Sequence, residues 1–192
     1  NYYYYYFFVL AKYQEEINSN EKEIHCRAFE ELFSKSQKHL ENGIKAFDSV
    51  KDEANLALLY SNTGRLMRVQ AHFFSMTEVE GKLTTQEKSF YKKSIFNYQK
   101  ALQILGDRKY NPPVWDSVHW ELSTALFAMA TLIQDYPCLK NKEETEREII
   151  ETLHKALKYC DVDTPGSRQP VYQYRSAMIH HRLASLYHKS YR

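Results

Sequence analysis

Apolar side chains recur at helical spacing along two neighbouring stretches between Glu53 and Leu105. In the first stretch, the apolar positions predicted to share one buried face are Ala54, Leu58, Leu59, Leu66, Met67 and Phe73. In the second stretch, they are Tyr91, Ile95, Tyr98, Ala101, Leu102 and Leu105. Gly64 lies inside the first pattern, where a glycine costs about 1 kcal/mol relative to alanine. We therefore expect Gly64 to admit a second helix at close range.

Small residues at matching places in the two stretches resemble the tetratricopeptide (TPR) pattern. That pattern has a small residue in the first helix, a large one three positions later and an Ala-Leu pair in the second helix. Gly64 and Met67 match the first helix, and Ser94, Ala101 and Leu102 match the second. Ser94 follows Gly64 by 30 residues, whereas a whole ordinary repeat has about 34. The predicted fold is all-α: a TPR-like right-handed solenoid of antiparallel helical hairpins with extended repeats.

The same pattern recurs further along the chain. Ser123 follows Gly64 by 59 residues, and Ala184 follows Ser123 by 61. We predict a single repeat domain with hairpins at about 1–50, 53–105 and 113–160 and a final helix at 168–190. Because the sequence lacks an initiator methionine and starts directly in structured-looking sequence, we expect the chain, residues 1–192, to be a fragment of a larger protein. The final helix would leave an apolar face open, so we expect partner helices in the missing C-terminal part.

Helix starts are predicted from capping residues. Asn111, which precedes Pro112 and Pro113, is the predicted N-cap of one helix. Asn141, with Glu144 three residues on, is the predicted N-cap of its partner.

The Tyr2 to Phe8 run is aromatic at every position, so it has no period. Such a run fits a buried helix, a strand or an exposed association surface, and the helix-forming residues that follow it favour a helix. If it is exposed, this run or the open final helix would serve self-association.

Composition narrows the class of protein. The chain has 192 residues, of which 43% are hydrophobic, enough for a core. Its 26 basic and 24 acidic residues leave a net charge of +2, so no overall field attracts nucleic acid or an anionic membrane. The three cysteines, Cys26, Cys138 and Cys160, are widely spaced and suit a reducing compartment. No apolar run reaches the roughly 18 residues of a membrane span, so we expect no membrane partner.

Several strings carry a specific resemblance. They are NLALLYSNTGRLMR, FNYQKALQILGDR, PPVWDSVHWELSTALFAMATL, LKYCDVD and RQPVYQYRSAMIHHRLASLYH. Together they resemble the C-terminal TPR region of the erythroid differentiation-related factor 1 family, from Glu30 to Arg192. The resemblance implies a location in the nucleus and a part in transcriptional regulation during erythroid differentiation, globin expression included.

Candidate catalytic and metal-binding groups do not form a site by their spacing. His180 and His181 are neighbours, which point about 100° apart on a helix, and His188 is two turns from His181. Cys160 and the aspartates after it fit a helix end followed by a turn. The sequence has no P-loop and no nucleophile elbow. We expect no enzyme activity, no metal and no cofactor.

Direct nucleic-acid binding is an alternative interpretation. Lysines and arginines such as Lys92, Lys93 and Lys100 are interspersed with acidic residues, as on solvated helix faces. The sixteen tyrosines could stack on bases, but most lie at core spacing. A nucleic-acid binder would need a basic patch that the sequence does not show.

The remaining candidate is the concave surface of the array, which the first helix of each hairpin lines. The repeat register places there Ser61, Arg65, Arg68, Trp120, Thr124, Phe127, His181, Ser185 and His188. Such side chains suit an extended protein or peptide partner with acidic and apolar residues. Two alternatives remain: the arginines pair with neighbouring carboxylates, and the aromatic rings belong to the core. We predict a non-catalytic protein-interaction scaffold.

Overall fold

The computed structural model describes residues 19–77, 85–136, 141–160 and 169–190. Their regular structure is six α-helices and one short 3₁₀ turn at Arg108–Tyr110, and no strand occurs among these residues. The helices are α1 (Ser19–Ser49), α2 (Glu53–Thr77), α3 (Thr85–Leu105), α4 (Pro112–Asp135), α5 (Lys142–Lys158) and α6 (Gln169–Ser190). The Tyr2 to Phe8 run, and with it the predicted first helix, lies outside the described residues.

Consecutive helices pack against each other from α1 to α6. The pairs α2–α3 and α4–α5 are hairpins, and the first helices of the two hairpins, α2 and α4, also touch directly. A hairpin cannot enclose its own apolar face, so stacking hairpins side by side builds a continuous core. The predicted all-α class, a stack of helical hairpins, is confirmed.

The core runs through α2, α3, α4, α5 and α6. Its fully enclosed large side chains are Tyr98, Leu122, Ile149, Leu153 and Ile179, all below 2% exposure. Full burial of an aliphatic side chain of this size contributes about 1.5–3 kcal/mol. These side chains join the two hairpins and α6 into one packed body.

The first hairpin closes around Gly64, as its position in the pattern predicts. A Cβ atom on Gly64 would lie 2.9 to 3.0 Å from three ring atoms of Tyr98. Ser94 also donates a hydrogen bond from its hydroxyl to the Gly64 carbonyl, at 2.7 Å. The small residues therefore mark the place where α2 and α3 come closest.

The second hairpin has a similar crossing around Ser123. Its buried hydroxyl lies 3.3 Å from the carbonyl oxygen of Ala156 and 3.1 Å from the sulfur of Cys160. In α6, Leu183 is buried, whereas Ala184, the residue equivalent to Ser123 by spacing, is exposed. Within the described residues, the small-residue face of α6 is therefore uncovered.

The predicted buried face of α2 is partly wrong. Ala54 and Leu58 are exposed, while Leu56 and Ala57 are buried in their place. The reason is that α2 packs against α1 on one side and α3 on another, which a single stripe cannot describe. The predicted face of α3 is correct: five of its six apolar positions are buried, and Leu102 packs against the core.

The predicted N-caps hold their positions but not their hydrogen bonds. Asn111 and Asn141 directly precede α4 and α5, yet neither side chain caps the helix. Their ψ angles, 71° and 63°, lie outside the extended region that aims a capping side chain at the first helical N–H groups. The Asn141 amide instead donates to the Glu144 carboxylate at 3.1 Å. Pro112 supports the start of α4, because a proline is tolerated at the first helical position.

Candidate functional site

Two arginines of α2 and one glutamate of α4 form the first part of the candidate site. Arg65 and Arg68, about one helical turn apart, both donate to the carboxylate of Glu121, at 3.0 and 2.6 Å. The Tyr98 hydroxyl donates to the same carboxylate at 3.3 Å, and burial raises the pKa of Tyr98. The arginines therefore do pair with a neighbouring carboxylate, one of the two alternatives that the sequence left open.

Two aromatic rings of α4 form the second part. Trp120 and Phe127 lie two turns apart on one face of α4, and both are half-buried. Arg175 of α6 lies over both rings, with its guanidinium carbon 4.8 Å from the Trp120 centroid and 4.9 Å from that of Phe127. Thr124, between the rings in sequence, donates its hydroxyl to the Trp120 carbonyl at 2.9 Å. The rings thus pack against the core and keep an accessible side.

The structure brings only some of the predicted groove residues together. Ser61 is 7% exposed and does not line a surface. His181 and His188 are exposed and Ser185 is half-buried. His181 lies six residues past Arg175, roughly 120° around the helix axis. The three α6 residues therefore form a separate stripe, and no described contact joins them to the rest.

We call the residues that do come together the concave cluster. They are Arg65, Arg68, Glu121, Trp120, Thr124, Phe127 and Arg175. Sequence reasoning missed Glu121 and Arg175. Each contact joins helices that are far apart in sequence, so no local signal indicated them.

Two buried titratable groups lie elsewhere in the second hairpin. His119 stacks on Trp115 at 4.4 Å between ring centroids and meets the edge of Tyr159 at 4.9 Å. Burial lowers its pKa from 6.5 to about 4, and burial raises the pKa of the Cys160 thiol. Both side chains are therefore held in their neutral forms, which does not suit a thiolate nucleophile.

Two further properties bear on function. In the part of the chain that the structure describes, no group of three or more His, Cys, Asp or Glu side chains is arranged to hold a metal ion. None of the described helices has the length and apolar character needed to cross a bilayer.

Stacked helical hairpins, each closed around a small residue, define a helical repeat protein of the TPR class. The chain belongs to the family described as erythroid differentiation-related factor 1-like, TPR repeats, whose model matches residues 4–192. The resemblance found in the sequence is thus confirmed, and with it the class of a protein-interaction repeat domain.

Relatives with this name are similar over most of the chain. The human erythroid differentiation-related factor 1 is 51% identical over 169 residues, which cover 86% of this chain and 14% of the human protein. The mouse protein of the same name is 50% identical over the same shares. The chain therefore spans about 14% of the length of these relatives. No solved structure matches it significantly.

Proposed function

We propose that this chain is a non-catalytic scaffold whose concave cluster holds an extended segment of a partner protein. The observation that carries the proposal is the placement of two half-buried rings, Trp120 and Phe127, next to a group of arginines. Tryptophan and arginine are enriched among the residues that dominate binding energy at protein interfaces. The repeat architecture supports the proposal, since stacked hairpins offer an extended concave surface.

For the longer protein, we propose a role in the nucleus, in transcriptional regulation during erythroid differentiation, including globin expression. The support is the name of the relatives, which refers to erythroid differentiation. A scaffold without chemistry of its own would contribute by holding other regulatory proteins together.

A test of the groove needs a variant that blocks the surface and preserves the packing. Reversing the charge of Arg65 or Arg68 would place a carboxylate beside Glu121 and disturb the fold. A gentler double variant is Arg65→Gln with Thr124→Gln, because Arg65 is 48% exposed and a longer side chain at 124 would cover the face between the rings. The matched control is His154→Gln with Lys155→Gln, two exposed residues on α5.

The three proteins would be compared by pull-down from nuclear extract of erythroid cells, after circular dichroism shows that all are folded. We expect the unaltered chain and the control to bind a set of proteins that includes transcriptional regulators. The double variant at Arg65 and Thr124, the groove variant, should lose this set. Identical sets for all three would refute the groove. A set without transcriptional regulators would refute the nuclear role. DNA binding that falls steeply with salt and ignores the groove variant would favour the nucleic-acid alternative instead.

A further inference from the structure

Arg175 has an unusual position within the concave cluster. Its guanidinium lies against two aromatic faces, those of Trp120 and Phe127, at 4.8 and 4.9 Å from the ring centroids. The side chain is half-buried. Contacts of this kind hold an arginine in one place, because ring faces attract cations, but they satisfy none of its N–H donors.

The other half-buried arginines of the described part each have a carboxylate. Arg68 contacts Glu121, Arg108 contacts Asp116 and Arg182 contacts Asp135. Arg175 differs: no carboxylate of the described residues lies within ion-pair distance of it, and none of their groups accepts a hydrogen bond from it. Within the described residues, the five N–H donors of this guanidinium therefore have no acceptor and can serve a ligand.

The charges around Arg175 reinforce this difference. Burial, together with the nearby positive charge of Arg68, lowers the pKa of Arg175. Arg65 and Arg68 both contact the carboxylate of Glu121, so that carboxylate is already engaged. Such a partly enclosed positive site favours an anion more strongly than an exposed arginine does.

We propose that Arg175 binds the carboxylate of a glutamate or aspartate side chain in an extended partner segment, with the rings of Trp120 and Phe127 packing against apolar residues beside it. This inference rests on the proposed function and names the chemistry of the partner. A carboxylate fits because the planar guanidinium presents two parallel N–H groups to its two oxygens. The rings hold the guanidinium in place, so little side-chain freedom is lost on binding.

The probes are two pools of short peptides, with a central glutamate in one and a central glutamine in the other, flanked by the same randomised positions. The chain has two tryptophans, and a Trp115→Phe background leaves Trp120, next to Arg175, as the fluorescent reporter. We expect the glutamate pool to bind about tenfold more tightly than the glutamine pool, the ratio that one charge-assisted hydrogen bond of about 1.4 kcal/mol gives. Arg175→Met, which keeps the packing over the rings, should remove that preference and retain the weaker binding of both pools. Arg147→Met, an exposed position on α5, removes the same charge and should change nothing.

Equal binding of the two pools by the unaltered chain would overturn the carboxylate site and leave the groove intact. The same would follow if Arg175→Met kept the preference for glutamate. A third pool, with a central phosphoserine, tests the other anion. If it outcompetes the glutamate pool, the ligand of Arg175 is a phosphate and not a carboxylate. Failure of every pool to bind would refute the groove itself, and the Arg175 site with it.

Discussion

Replacing Gly64 by alanine tests whether the α2–α3 crossing is as tight as the structure indicates. Alanine would gain about 1 kcal/mol of helix propensity, but its Cβ would lie 2.9 to 3.0 Å from three atoms of the Tyr98 ring. That ring is fully buried, and its hydroxyl is held by Glu121. It cannot swing away, so the overpacking cost falls in the upper part of the usual range of about 1–3 kcal/mol. We expect a net loss of ~1–2 kcal/mol.

Gly43 supplies the matched control for this prediction. A Cβ there would approach Leu59 even more closely, at 2.7 Å, but the atom it meets is the methyl end of a flexible, half-buried side chain. Leu59 can change rotamer at little cost, so Gly43→Ala should be neutral or should gain up to about 1 kcal/mol. Urea unfolding followed by far-ultraviolet circular dichroism would measure both variants. A Gly64→Ala protein as stable as the unaltered chain, or equal losses from both variants, would refute this account of the crossing.

Three further predictions concern polar groups. Burial holds the pKa of His119 at about 4, so the folded state rejects a proton that the unfolded chain accepts below about pH 6.5. The free energy of unfolding should therefore fall as the pH is lowered from about 6.5 to about 4. His119→Phe should flatten that part of the pH profile, and an unchanged profile would exclude His119 as the cause. Glu121→Gln removes this counter-charge from Arg68, which is 17% exposed, and should lower the free energy of unfolding in urea by ~1–2 kcal/mol. Glu31→Gln, which breaks an exposed ion pair, is the control, and an equal loss in both variants would contradict a role for burial. Ser94→Ala removes the buried hydrogen bond to the Gly64 carbonyl of α2 and should lower the free energy of unfolding by about 1 kcal/mol. An unchanged melting temperature would contradict a stabilising role for this bond.

The helical repeat was predictable because its signal is local. Small residues recur where helices cross, since the backbones there leave no room for a larger side chain, and Gly64 shows this directly through its contact with Tyr98. The stripe of α3 was equally clear, because its buried positions follow a single period of 3.6 residues. Periodicity fails where a helix is covered from more sides: α2 contacts α1, α3 and α4, and it exposes Leu58 and buries Leu56.

The candidate site was predictable only in part, because its contacts join distant positions. The register placed Arg68 on the inner surface, but nothing in the sequence shows that Glu121, 53 residues later, lies opposite it. Arg175 was missed because an arginine near a helix start usually points into solvent. Its contact with Trp120 and Phe127 depends on how α6 packs against α4, which is a property of the assembled stack.

The residues at equivalent places in the two hairpins separate the demands of packing from those proposed for binding. The two crossings form at Gly64 and Ser123, which are both small. Four residues further along each helix, the predicted inner surface holds Arg68 and Phe127, which share neither charge nor shape. If stacking alone dictated the inner surface, equivalent positions would hold similar side chains, as the crossings do. Packing requires small residues at the crossings and leaves the positions one turn further on free to vary, which supports the binding role proposed for the concave cluster.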